Sequence, residues 1–243
     1  MKRKVKIFRT PHDLAEYFAK ELSERINGAA KKKESIKIAL SGGSTPKILF
    51  SILAERYSRS TSWNYVHLFW VDERCVAPDD AESNYGMTKE ILLDRIDIPQ
   101  EHIHRMRGED DPAKEAERYS REIIQHVAAK NSFPSFDIII LGMGDDGHTA
   151  SIFPGNERLL HSDKVCETAI HPASLQKRIT LTGKVINNSK EIFFLVTGIK
   201  KSQVIEQIFG KNKNSAMFPS SFINSINGRT VWLLDEEAAK NIT

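Results

Sequence analysis

The chain has 243 residues, 40% hydrophobic and 28% charged, which is ordinary for a globular protein and long enough to bury a full core. A formal net charge of only +3 argues against a nucleic-acid partner, and a small anionic substrate is enough to explain the excess. Cys75 and Cys166 lack C-x-x-C spacing, no apolar segment follows the basic start at residues 1–6, and no run reaches a membrane span, so a metal finger, a secretory signal and a membrane protein are set aside in favour of a reducing cytoplasm.

Residues 5–8 read as a short strand. Thr10-Pro11-His12-Asp13 then offers capping chemistry to a helix with Leu14, Tyr17, Phe18, Leu22 and Ile26 at helical spacing. Lys31-Lys32-Lys33 is expected at that helix's C-terminus, where cations suit the dipole. A strand over 35–40 stops at Gly42-Gly43, and Pro46 suits the first turn of a helix through Ile48, Leu49, Ile52 and Leu53. A strand over 66–71 and helices over 84–93 and 112–130 follow. The continuous apolar runs at 137–141 and 192–197 fit parallel strands covered on both faces. A helix over 200–209, a strand over 230–234 and a short helix complete the chain. This alternation predicts an α/β domain with a mostly parallel sheet. Without a proline-rich linker or an internal repeat, residues 1–243 are expected to form one domain, and nothing distinguishes a monomer from a dimer.

Ligands of open α/β sheets bind beyond the carboxyl ends of the strands, and four motifs fall there. Ser41-Gly42-Gly43-Ser44-Thr45-Pro46 joins a glycine turn to a helix N-terminus with two hydroxyls, which is good chemistry for a phosphate, although the P-loop spacing fails. Adjacent charges such as Asp72-Glu73-Arg74 often only decorate a surface turn; the functional reading has Asp72 or Arg74 project into the crevice, with Arg74 able to bind phosphate or offset developing charge. Cys75 has no nearby histidine and reads as a bystander.

Gly142, Gly144 and Gly147 spell G-x-G-x-x-G, but Asp145 and Asp146 would repel a pyrophosphate and the motif lies past mid-chain. The favoured reading is a glycine-shaped loop presenting His148 with Asp146 beside it, an imidazole base with a fixed tautomer. His12 and His126, on helical stretches, read as structural. Lysines normally oppose the dipole at a helix start, so Lys200 and Lys201 after Thr197-Gly198 call for an explanation, either a phosphate they help to hold or simple solvent exposure.

Taken together, Ser41 to Pro46, Asp72-Glu73-Arg74 with Glu82-Ser83-Asn84, and the run from Gly142 through His148-Thr149-Ala150-Ser151-Ile152-Phe153-Pro154-Gly155 resemble the 6-phosphogluconolactonase family. The matching segments run in order over residues 36–201. The related glucosamine-6-phosphate deaminases have Asp-Glu-Tyr in place of Asp72-Glu73-Arg74, and their glycine-His-Ile segment runs into Asn-Glu-Pro-Gly. The resemblance is therefore to the lactonase branch.

It implies a three-layer αβα fold of modified Rossmann type and no metal or cofactor. It also implies that His148 is catalytic with Asp146 as its partner, and that Gly42, Gly43, Ser44, Thr45, Arg178 and Lys201 surround the phosphate. Lys201 is preferred to Lys200 by spacing from Gly198, and Phe218-Pro219-Ser220-Ser221-Phe222 departs from the family pattern. The expected reaction is hydrolysis of a sugar-phosphate lactone, with an amino-sugar-phosphate deaminase or isomerase and a non-catalytic sugar-phosphate sensor as alternatives. No G-x-S-x-G elbow is present, so Ser41 and Ser44 are not expected to be nucleophiles.

Overall fold

The computed structural model describes residues 3–210 and 218–242. The chain opens with β1 (Lys4–Phe8) and α1 (Pro11–Lys31), followed by β2 (Ile36–Leu40), α2 (Ser44–Arg56), β3 (Val66–Trp70) and a short β4 (Asp72–Arg74). Next come α3 (Asn84–Ile91), β5 (Ile103–His104), α4 (Pro112–His126), β6 (Ala129–Lys130), β7 (Phe133–Pro134) and β8 (Ile138–Leu141). Then follow α5 (Arg158–His161), β9 (Cys166–Ile170), β10 (Lys177–Leu181), α6 (Gly183–Asn187) and β11 (Glu191–Val196). The last elements are α7 (Ser202–Phe209), α8 (Pro219–Phe222), β12 (Arg229–Asp235) and α9 (Glu236–Ala239).

Seven strands form one parallel sheet in the order β1-β12-β11-β8-β2-β3-β5. Side chains alternate across a strand, and here both faces are apolar. Ile38, Leu40, Ile138, Ile140, Phe193 and Leu195 pack with Leu14, Phe18 and Ile26 of α1 and Leu49, Phe50 and Leu53 of α2. Their neighbours Ala39, Ile139, Leu141, Phe194 and Val196 turn to the other face, against Tyr119 and Ile123 of α4, Val185 of α6 and Ile205 of α7. The result is the expected three-layer αβα arrangement. Thr10 caps α1, accepting from the Asp13 amide at 3.1 Å, and Lys31 and Lys32 close its far end. No helix among the described residues is long and apolar enough to cross a membrane.

Two expectations need correction. The helix starting at Pro112 stops at His126, short of residue 130, because the chain turns into the β6–β7 hairpin. Asn131 and Ser132 both have positive φ, 50° and 68°, as a tight two-residue hairpin turn requires. The Nδ2 of Asn188 donates to the carbonyls of Lys130 and Phe133 at 2.6 and 2.7 Å, fastening the hairpin. Likewise, α3 ends at Ile91 and continues only as a 3-10 turn over Leu93–Arg95. A second, three-stranded antiparallel sheet, β4-β10-β9, was not anticipated. It lies beyond the carboxyl end of β3 and builds one wall of the site.

Candidate active site

The strand order reverses direction between β2 and β8, since β3 and β5 extend one way and β11 and β12 the other. A crevice opens beyond the carboxyl ends at such a point. Here it is a cleft of about 220 Å³ lined by the ends of β2, β8 and β11, the first turn of α2, and β4 and β10 of the small sheet. On the floor, α2 begins at Ser44 with Gly43 as its N-cap and no side-chain cap. The Ser44 and Thr45 amides thus precede the helix's own hydrogen-bond ladder, and Pro46 contributes no further donor. Thr45 Oγ1 and Thr197 Oγ1 meet at 2.7 Å, tying this turn to the end of β11.

The loop after β8 is closed on itself: the Gly144 amide donates to the His148 carbonyl at 2.9 Å and the Gly147 amide to the Gly144 carbonyl at 3.1 Å. His148 Nδ1 lies 2.6 Å from Asp146 Oδ1, which also accepts from the His148 amide at 3.1 Å. A carboxylate can only accept, so the Nδ1 proton points at Asp146, and the tautomer this selects for a neutral ring is the one with its lone pair on Nε2. Burial pushes the Asp146 carboxyl up, but its hydrogen bonds to the His148 ring and amide and its electrostatic interaction with His148 outweigh it and hold the group below the usual carboxylate range. The Phe153 ring packs on the imidazole with centroids 4.7 Å apart.

A side chain at position 144 would collide with His148 and Asp146, and one at Gly147, where φ is 79°, would collide with Phe218. Ser220 donates its amide to the Gly147 carbonyl at 3.1 Å. Residues 218–222, which departed from the family pattern, thus brace this loop from behind. Gly144→Ala is expected to displace the imidazole and lower kcat by about 10²-fold, since misplacement near 1 Å has that effect, with the far-UV circular dichroism unchanged. Wild-type kcat in this variant would contradict the packing argument.

In the opposite wall, Arg74 of β4 and Arg178 of β10 are directly paired across the antiparallel ladder. Like charges in that position are destabilising on their own. Both Nε atoms are buried without a protein partner among the described residues, as is Ser41 Oγ in the same cleft. Burial, and then the charge of Arg74, lower the Arg178 guanidinium from its ordinary value. Two residues before Arg74, on the same face of β4, Asp72 is buried and accepts from Ser151 Oγ at 2.7 Å.

Glu73 points the other way, beneath the start of α3. It accepts from the amides of Arg74, Asn84 and Tyr85 at 2.8, 2.7 and 2.8 Å and from Ser83 Oγ at 3.1 Å. Burial pushes its carboxyl up against these donors. Glu73→Ala strands buried donors, so a loss of about 2–4 kcal/mol is expected in denaturant unfolding. A loss under about 0.5 kcal/mol, typical of a surface substitution, would remove Glu73 as the anchor of β4 on α3.

Of the residues singled out from sequence, Asp72, Arg74, Gly42, Gly43, Ser44, Thr45, His148, Arg178 and Lys201 all line the cleft. Asp146 does not line it and is hydrogen-bonded to His148 from outside it. Lys201 reaches the cleft and pairs with Asp145, whereas Lys200 is exposed and does not line it. Cys75 lies outside the cleft, and burial pushes its thiol up to about 11, in keeping with a bystander. Sequence reasoning missed Ser151 and Glu73 as the anchors of Asp72 and β4, and Thr197 as the partner of Thr45. The only available signal was their position beside the motifs.

Comparison with known proteins adds an independent finding. Residues 9–232 match the model of the family described as glucosamine-6-phosphate isomerases/6-phosphogluconolactonase. The chain is 44% identical over 204 residues to a 6-phosphogluconolactonase of Aggregatibacter actinomycetemcomitans, covering 84% of this chain and 86% of that one. It is 42% identical over 206 residues to the Haemophilus influenzae protein of that name, covering 84% and 87%. The solved 6-phosphogluconolactonase of Trypanosoma cruzi superposes with a TM-score of 0.89 at 30% identity, covering 100% of this chain and 97% of that one. This chain therefore belongs to the glucosamine-6-phosphate isomerase/6-phosphogluconolactonase family.

Proposed function

We propose that the chain hydrolyses 6-phospho-D-glucono-1,5-lactone to 6-phospho-D-gluconate, the lactone-opening step of the pentose phosphate pathway, as a cytoplasmic enzyme acting through one catalytic domain. The observation that carries this reading is the presence, in one cleft, of a carboxylate-oriented imidazole and two guanidiniums placed directly opposite each other. Arg74 and Arg178 match a dianionic phosphate, whose charge relieves their mutual repulsion, and the amides and hydroxyls of Ser44 and Thr45 complete its cradle. Lys201 adds a third cation from the β11 side.

With the phosphate fixed, the lactone carbonyl meets a water whose proton passes to His148 Nε2 as its oxygen bonds to C1. The bond from C1 to the ring oxygen then breaks, and His148 returns the proton to that oxygen. Water is the only co-reactant, and the imidazole ends as it began. Holding water and ester together removes up to about 7–11 kcal/mol of barrier in favourable systems. The net positive lining offsets the charge growing on the carbonyl oxygen.

The test is a coupled assay following loss of freshly made lactone at a pH where spontaneous opening is slow. Rapid loss with appearance of 6-phosphogluconate supports the reading. Ammonia release from glucosamine 6-phosphate would place the chain in the deaminase branch instead, and tight lactone binding without turnover would make it a sensor.

A further inference from the structure

Away from the cleft, the sheet carries a second group of ionisable side chains that lactone hydrolysis leaves unused. His67 is the second residue of β3, His104 belongs to the edge strand β5, and His126 ends α4. None of them lines the cleft. One ligand atom from each lies within 4.8 Å of the others.

His67 Nδ1 and His104 Nε2 are 3.0 Å apart. Two imidazole nitrogens on one tetrahedral zinc, each about 2.0–2.1 Å from the metal, stand about 3.3 Å apart, so the observed spacing needs only a slight opening. Glu122, one turn before His126 on α4, accepts from His104 Nδ1 at 2.6 Å. The proton of His104 is therefore on Nδ1, and its Nε2 lone pair faces His67. A carboxylate behind an imidazole in this way orients metal-bound histidines and raises their basicity. The His102 ring stacks on His67 with centroids 3.9 Å apart, and its Nδ1 is buried without a protein partner among the described residues. His104 is 3% exposed, while the His126 side chain, 31% exposed, leaves an approach from solvent.

The geometry points to a binding site for a divalent first-row transition metal ion, of the Zn2+ type, formed by His67, His104 and His126, with Glu122 orienting His104. Imidazole donors suit such ions rather than Mg2+ or Ca2+. In the metal-free chain, His67 Nδ1 donates its proton to His104 Nε2. On binding, that proton moves to His67 Nε2, the ring stays neutral, and both facing nitrogens turn their lone pairs to the metal.

The Lys37 ammonium, on the residue paired with His67 across β2–β3, opposes a cation, and the Glu122 carboxylate counters it. The ion would join the edge strand β5 to β3 and α4, a structural role independent of the lactone chemistry.

The test is calorimetric titration of the chelator-treated full chain with Zn2+, alongside thermal unfolding. Wild-type chain is expected to take up one equivalent at this site and to gain about 5–10 °C in melting temperature at a hundredfold excess over Kd. His126→Asn and His67→Asn should abolish that equivalent. Glu122→Gln, with an unchanged far-UV spectrum, should weaken it about 10–100-fold. His12→Ala, beside the exposed Asp13 and Glu16, and His148→Asn should leave it intact. Loss of the equivalent in either control, undiminished affinity in His126→Asn, or no uptake by the wild-type chain would overturn the proposal.

Discussion

His148→Asn is expected to lower kcat by about 10²–10⁴-fold while KM moves by less than about threefold. Asparagine keeps an amide donor near the Nδ1 position, toward Asp146, but is smaller and has no atom at the Nε2 position. The variant therefore removes proton transfer and leaves the phosphate end of the cleft untouched. Steady-state kinetics on freshly prepared lactone measures both constants. A mild loss of kcat with a matching rise in KM would mean that His148 binds substrate instead of moving a proton.

Arg178→Ala should show the complementary signature, with KM raised about 10–100-fold and kcat nearly constant. Charge-assisted hydrogen bonds to a guanidinium contribute about 1.5–3 kcal/mol, and about 1.4 kcal/mol is a tenfold change in affinity. The same substitution removes one of two like charges facing each other across β4 and β10. Like charges directly opposite are destabilising, so the ligand-free variant should melt no lower than wild type. Binding capacity and intrinsic stability thus oppose each other at this position, a common cost of sites built to receive a charge. An unchanged KM with a lowered melting temperature would make Arg178 a structural residue.

The main sheet was readable in the sequence because its strands are buried on both faces. Ile138–Leu141 and Glu191–Val196 stand out as apolar runs bounded by turns. The Asp146–His148 pair was readable because its members are two residues apart on a loop shaped by glycines. The small antiparallel sheet was not. β4 consists of Asp72, Glu73 and Arg74 and has no apolar pattern, and its partner β10 lies far along the chain. Nothing local announces that Arg74 will face Arg178 or that Ser151 will hold Asp72. The overrun of α4 has a similar cause: Val127, Ala128 and Ala129 can continue a helix, and only the left-handed pair Asn131-Ser132 turns the chain back. The histidine cluster was hidden for the same reason, since β3, β5 and α4 come together only in the folded sheet.

A crystal structure with 6-phosphogluconate in the cleft shows directly where a bound sugar phosphate places its two ends. The predicted complex has the phosphate between the guanidiniums of Arg74 and Arg178 and the first turn of α2. Its C1 carboxylate lies within reach of a water held about 3–3.5 Å from His148 Nε2. A ligand bound in the reverse sense, with phosphate beside Asp146 and His148, or one seated in another hollow of the surface, would contradict it.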